Sequence, residues 1–176
     1  MKRVNLYRFL IFPALVALLL PFGLTSCKLS YSFTGANIPA EAKTFSVKYF
    51  QNNATLVQPT LSQKLTDQLK DRMLSQTNLI MLNSGGDMAF EGEITDYTLQ
   101  PLAIQENEIA QLTQITVRIR IKFYNKINSE RNYESQFSRF QQFSSSLNLS
   151  AIEDALLDQI VDELVDDIFN KSFVNW

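Results

Sequence analysis

Three cations stand two residues apart at Arg118, Arg120 and Lys122. Alternate residues of an extended strand share a face, so the three would project together as a stripe about 13 Å long. Such a stripe suits phosphates, which arginine grips bidentately and lysine meets as a point charge. The same stripe is equally an ordinary solvated sheet face, its cations paired with Glu91, Glu93 or Glu134 on neighbouring strands. The other chemically distinctive residue is Cys27, the single cysteine of the chain. Its thiolate would be a nucleophile.

The remaining chemistry is thin. With 0 histidines in 176 residues, the usual general base near neutral pH and the commonest metal ligand are both missing. One cysteine allows neither an internal disulfide nor a Cys-rich zinc site. Ser-His-Asp and Cys-His hydrolases, His-containing zinc enzymes and redox dithiols are therefore excluded. Glu91 and Glu93 would sit on one strand face roughly 7 Å apart. Glycosidases instead draw their carboxylates from opposite sides of a cleft. Ser84-Gly85-Gly86-Asp87 lacks the lysine and following helix of a phosphate-binding P-loop and reads as a turn. The acidic residues of the C-terminal segment have neither the spacing nor the central glycine of a calcium loop. No catalytic residue, no metal and no cofactor is expected.

Composition fits one ordinary globular domain: 45% hydrophobic, 19% charged, 16 Lys plus Arg against 18 Asp plus Glu. Lys2, Arg3 and Arg8 precede an almost wholly apolar run from Phe9 to Leu20, a secretory-signal pattern. Residues 9 to 26 carry no charge, so a transmembrane helix is the alternative, but Pro13, Pro21, Gly23, Thr25 and Ser26 interrupt or end the run. Loss of the leader would leave 16 less 3, or 13, basic residues against 18 acidic ones. A net charge of that sign draws the chain neither to nucleic acid nor to an anionic membrane. No nucleic-acid partner is expected.

The elements that must position these residues follow from periodicity. Residues 27–43 read as a tether, and one domain is expected over 44–176. Thr44 to Phe50 alternates as a strand with Phe45, Val47 and Tyr49 on one side. Thr60 and Gln63 form a capping-box pattern ahead of Leu61, Leu65, Leu69 and Met73, predicting an amphipathic helix from about 60 to 77. After a short apolar run at Leu79 to Leu82, Met88 to Leu99 alternates, with a phase slip near Asp96-Tyr97 that predicts a bulge. Pro101 to Leu112 reads as a wide irregular connection. Thr113 to Asn125 is the clearest strand, with Ile115, Val117, Ile119, Ile121 and Phe123 facing one way and the cations the other. Asn132 to Phe143 reads as its return strand. Ser150 and Glu153 form a second capping-box pattern before a long final helix. Its acidic face, Asp154, Asp158, Asp162, Glu163, Asp166 and Asp167, is expected to be solvated, the alternative being contact with a basic surface. The fold expected is α+β in β-α-β-β-β-α order, with two helices packed on one face of a four-stranded mixed or antiparallel sheet.

Leu24-Thr25-Ser26-Cys27 resembles the lipobox of bacterial lipoproteins. The resemblance implies that residues 1–26 are a lipoprotein signal peptide and that Cys27 becomes the lipid-bearing N-terminus. Several acyl chains exceed the one-chain threshold for stable membrane attachment. An incidental or buried cysteine behind an ordinary signal is the alternative. Further along, Ser30 to Ala36, Val47 to Ala54, Pro59 to Gln63, Asn83 to Asp87, Gly92 to Tyr97 and Asp167 to Ser172 together resemble the LptE family in its Bacteroidota form. That resemblance implies an outer-membrane lipoprotein of the lipopolysaccharide transport machinery, without enzymatic activity. It implies a large β-barrel partner, LptD-like, whose lumen the domain plugs while assisting barrel assembly and late delivery of lipopolysaccharide. Lys28 and Leu29 lack the acidic run associated with surface export, which implies a periplasm-facing domain. Arg118, Arg120 and Lys122 are then candidate contacts for lipopolysaccharide phosphates or for acidic residues of the lumen. A free periplasmic lipid-binding lipoprotein, with an apolar cavity between sheet and helices, is the competing expectation.

Overall fold

The computed structural model describes residues 38–102 and 111–174. The signal peptide, Cys27, most of the tether and the greater part of the connection after Pro101 lie outside the described residues. The elements run β1 (Thr44–Val47), β2 (Gln51–Asn52), α1 (Leu61–Gln76), β3 (Ile80–Met81), β4 (Met88–Pro101), β5 (Leu112–Asn125), a single 3-10 turn (Ser129–Arg131), β6 (Tyr133–Ser144) and α2 (Leu149–Phe173). The fold is α+β, as expected. Its sheet has six strands rather than four, in the order β3-β1-β4-β5-β6, with β2 continuing alongside β4 beyond β1. The two additional strands are two residues long each, too short for any period to announce them.

β1, β2 and β3 are parallel in their pairings, whereas β4, β5 and β6 form an antiparallel meander. β5 pairs with β4 over residues 113–125 and with β6 over residues 112–123. Ile115, Val117, Ile119 and Ile121 are fully buried, as the two-residue period requires. Both helices cover this inner face. α1 contributes Leu61, Leu65, Leu69 and Met73, and α2 contributes Leu157, Ile160, Leu164 and Ile168, all fully buried. Each such side chain stabilises the fold by about 1.5–3 kcal/mol relative to exposure. At one end of the inner face Phe90, Phe123, Phe169 and Phe173 pack with ring centroids 4.9–6.2 Å apart and seat the end of α2.

The expected bulge is present. The β4–β5 register shifts between Ile94 and Asp96, leaving Thr95 extra, and its hydroxyl donates to the Arg118 carbonyl at 3.2 Å. The shift returns Tyr97 to the inner face, where its hydroxyl donates to Glu153 at 2.5 Å. Burial first, and this carboxylate second, push the Tyr97 pKa well above its usual value.

Four expectations need correction. The first strand loses its alternation after Val47: Phe50 is 0% exposed and Tyr49 46%. The cause is Gly92, where a Cβ would lie 2.5 Å from the Phe50 ring, so the missing side chain makes room for Phe50 to enter the core. Neither capping box forms. Thr60 makes no side-chain cap bond; its amide and hydroxyl both donate to Gln58 Oε1, while the Gln63 amide donates to Asp67. At α2 the cap is Asn148, which accepts the Ser150 amide at 3.2 Å; Ser150 lies inside the helix and Glu153 is taken by Tyr97. Finally, the acidic face of α2 is not simply solvated. Lys64 of α1 pairs with Asp154 and Asp158, Arg72 with Asp162 and Asp166, and Arg139 of β6 with Glu163 and Asp167. An advance of eight residues on α1 matches eight on α2, so the two helices run in the same direction.

A Gly92→Ala substitution should cost about 1–3 kcal/mol by overpacking against Phe50. Combined with Phe50→Ala it should cost less than the sum of the two single changes, because the second removes the ring the first collides with and leaves only the Arg120 carbonyl, 2.7 Å from the added Cβ. Urea unfolding of the four proteins checks both expectations.

Candidate functional site

On the outer face, away from the helices, β5 presents Arg118, Arg120, Lys122 and Tyr124. Register places Asp96 opposite Arg118, Glu93 opposite Arg120 and Glu91 opposite Lys122 on β4, and Glu134 opposite Lys122 on β6. Arg118 Nη1 donates to Asp96 at 2.8 Å, and Arg120 Nη1 donates to Glu93 at 2.8 Å. Lys122 lies 3.5 Å and Arg120 3.9 Å from Glu134, and Lys48 lies 3.9 Å from Glu91. The structure therefore does bring the three sequence-predicted cations together on one face, within a ladder that alternates in sign across the strands. Each exposed pair contributes at most about 1 kcal/mol. Together they leave no unpaired cationic stripe. A cleft of about 290 Å³ opens over the middle of the ladder, lined by Tyr49, Gln51, Asn53, Glu93, Arg120 and Glu134 among others.

A second, larger cavity of about 590 Å³ lies at the end of the outer face where β4 begins and β5 ends. Two loops frame it: the turn before β4 and the segment joining β5 to β6. Asp87 holds the first. Its Oδ2 accepts the Lys43 amide at 2.9 Å, the Thr44 amide at 3.0 Å and the Thr44 hydroxyl at 2.9 Å, and its own amide donates to that hydroxyl at 2.9 Å. These bonds, the Lys43 amide foremost, hold the Asp87 carboxyl below its ordinary value. Gly86 lets the turn lie against β1, for a Cβ there would meet the Phe45 backbone at 2.5 Å. The second loop is tied to the first by the Lys126 amide, which donates to the Asp87 carbonyl at 2.9 Å, and by Lys126 Nζ, which donates to the Gly85 carbonyl at 2.6 Å.

Sequence reasoning found the cations but not this cavity. The readable signals were Tyr124 on the polar side of β5 and the asparagines at positions 83, 125 and 132; what joins them is the register between strands distant in sequence. Among the described residues, no group of three or more His, Cys, Asp or Glu could hold a metal ion, and no helix is long and apolar enough to cross a membrane. Both described cavities lie on the outer face, whereas the space between sheet and helices is filled by the buried side chains named above.

Comparison with known proteins adds three findings. The family model LptE, described as lipopolysaccharide-assembly, matches residues 42–172. Among solved structures, lipoprotein B from Nitrosomonas europaea is 15% identical over 81% of this chain and 87% of that one, with a TM-score of 0.50. A homolog of neuraminyllactose-binding hemagglutinin from Helicobacter pylori is 9% identical over 80% of this chain and 88% of that one, with a TM-score of 0.53. At these identities the two structures share the fold with this chain and no more. No curated protein matches.

The Asp87 latch has a defined pH signature. Its folded-state pKa lies below the unfolded 3.8, so its contribution is fully present above that value and is lost as pH falls through the lower, folded-state value. Asp87→Asn should lower the melting temperature at pH 7, and the gap from the parent protein should close in the most acidic melts. Thermal melts from pH 7 down to about 2 check this.

Proposed function

The chain belongs to the LptE family of lipopolysaccharide-assembly proteins, and from that membership we propose that it is a lipid-anchored, non-enzymatic subunit of the machinery that delivers lipopolysaccharide to the outer leaflet of the outer membrane. The family match over residues 42–172 is the single observation that carries this reading. In it, Cys27 bears the lipid, residues 28–43 span the gap to the domain, and the domain faces the periplasm inside the lumen of a large LptD-like β-barrel. Its work is to fit and support that barrel during assembly and late lipopolysaccharide transfer.

The geometry favours fitting over carrying. A carrier of acyl chains needs an apolar pocket of several hundred Å³ between its layers. Here Phe45, Phe50, Leu65, Leu69, Ile119 and Leu164 occupy that space at 0% exposure. In the plug reading Arg118, Arg120 and Lys122 form a contact row. Their side chains are 57%, 41% and 46% exposed, and a guanidinium has five N–H donors, more than the carboxylates beside it use. That leaves them able to meet carboxylates of a lumen wall or lipid A phosphates without deserting their own partners.

Mild detergent extraction and affinity purification should recover a large outer-membrane β-barrel with the tagged chain. Cys27→Ser should release the chain from the membrane fraction and remove the mass of the acyl groups from its N-terminal peptide. Replacing Arg118, Arg120 and Lys122 together by Ala should leave the melting temperature within a few degrees while reducing barrel recovery several-fold. Purification of the native chain free of any large barrel, or an unacylated N-terminus, would overturn the reading.

A further inference from the structure

The cavity at the end of the outer face has the chemistry of a site that recognises hydroxyl groups. Ser46, Ala89 and Tyr124 are register partners across β1, β4 and β5, so its floor runs from two small side chains to one ring. Ala89 opposite Tyr124 leaves that ring standing clear on one flank, 42% exposed. The walls are prepared in advance. Asn125 Oδ1 accepts the amides of Ile127 and Asn128 at 2.9 Å each, and Asn132 Oδ1 accepts the Asn125 amide at 2.6 Å. Both side-chain oxygens are thus committed to backbone; Asn125 is itself buried, 2% exposed, and braces the loop, whereas Asn132 is exposed and its NH₂ group, with two donors, has no partner among the described residues. The hydroxyls of Ser84 and Ser129 are likewise unengaged.

The charge around the cavity is close to balanced. Glu91 lies 3.9 Å from Lys48, and Lys126 is held by the Gly85 carbonyl near Asp87. No arginine lines it, so it lacks the bidentate grip that a phosphate site draws on. What remains is an aromatic wall beside clustered neutral donors and acceptors, in a volume of about 590 Å³, within the range of small-molecule sites. A pyranose ring matches that set. Its C–H face lies on an aromatic ring and its hydroxyls exchange hydrogen bonds with amides and serines. Because the loops are already fixed, little ordering cost is added on binding.

We propose that this cavity is a saccharide site, taking one ring of an envelope glycan against Tyr124 with its hydroxyls on Asn132, Ser84 and Ser129. The proposal rests on the lipopolysaccharide-assembly reading only for the source of the glycan; the chemistry recognised is that of the sugar. Calorimetric titration of the full detergent-solubilised chain tests it with two probes, fully deacylated lipopolysaccharide oligosaccharide and a disaccharide prepared from peptidoglycan. The oligosaccharide should bind. Tyr124→Ala should weaken it at least tenfold, and Ala89→Leu, which fills the floor, should abolish it. Gln142→Ala, at the opposite end of the outer face, should change nothing. Tyr124→Leu keeps bulk without a ring and serves if the alanine variant does not fold. Binding of the peptidoglycan disaccharide alone would keep the saccharide site and move its source to the cell wall. Binding of neither probe, or equal binding by every variant, would overturn the proposal. Barrel recovery by Tyr124→Ala, measured in parallel, should equal that of the parent chain, so failure of this site and failure of the plug reading are separable.

Discussion

Everything in this domain depends on the alternation of β5. Its inward residues from Ile115 to Phe123 are at most 1% exposed, and over residues 113–123 it is paired on both sides. Because the side-chain period is two, fixing the inward set also fixes the outward set. A slip of one residue would drive Arg118, Arg120 and Lys122 into the apolar layer and bring five large apolar side chains into water. The cations are therefore held at known spacings by the core, not by any ligand. β4 must follow β5, and the extra residue at Thr95 is how it does so: without that shift Tyr97 and Leu99 would fall on the outer face.

An apolar sheet face must be covered, and covering it creates the second constraint, which is charge. Asp154, Asp158, Asp162 and Asp166 stand four residues apart on α2, a spacing at which like charges destabilise an isolated helix. Lys64 and Arg72, spaced by eight on α1, each serve two of these acids. Arg139 grips Asp167 through Nε at 2.7 Å and Nη2 at 2.5 Å. The Asp158 bond raises the Lys64 pKa above 10.5 against the opposing effect of burial. A raised pKa of this kind means that its contribution is present throughout the neutral range and is lost only on the alkaline side. α2 is thus a helix whose charges make sense only when docked. Its far end is seated by Tyr133, whose hydroxyl meets Ser172 at 2.9 Å and whose pKa is pushed up to about 12, chiefly by burial.

These constraints explain what could be read from the chain. β5, β6 and both helix spans were legible because each buries a face long enough for its period to show. The end of β1 was not legible, since the choice between Tyr49 and Phe50 is made by Gly92, more than forty residues away. The caps were misread for a local reason: Asn148 stands two residues before Ser150 and captures the Ser150 amide and hydroxyl, so the serine is a donor there and not the cap. The acidic face was misread because single-sequence periodicity shows a helix its own charges and not its neighbour's. For the cation row, parity gave the face and the spacing correctly. The partners Glu93, Asp96 and Glu134 became fixed only with register, and Asp96 in particular depends on the bulge beside it.

The ladder and the cavity divide the outer face by whether polar groups are already engaged. A cationic stripe left open would bind phosphate in water but would be costly to bury against a protein wall, because taking unpaired charge out of solvent costs several kcal/mol per ion. Cations that carry their own carboxylates can be covered by a mixed polar surface with much less penalty, since the local charge is near zero before contact is made. The ladder is therefore suited to a large, water-excluding polar interface more than to capture of a free anion. The other end of the face is built the opposite way: the loop backbone is satisfied internally by Asp87, Asn125 and Asn132, and the exposed Asn132 amide and the Ser84 and Ser129 hydroxyls are left over. Recognition of an uncharged polar ligand requires such unengaged donors on a fixed frame, because a group that must first break a bond within the chain gains little by making a new one. One sheet face thus carries both a surface that can be covered and a cavity that can be filled, and the same register between β1, β4 and β5 sets both.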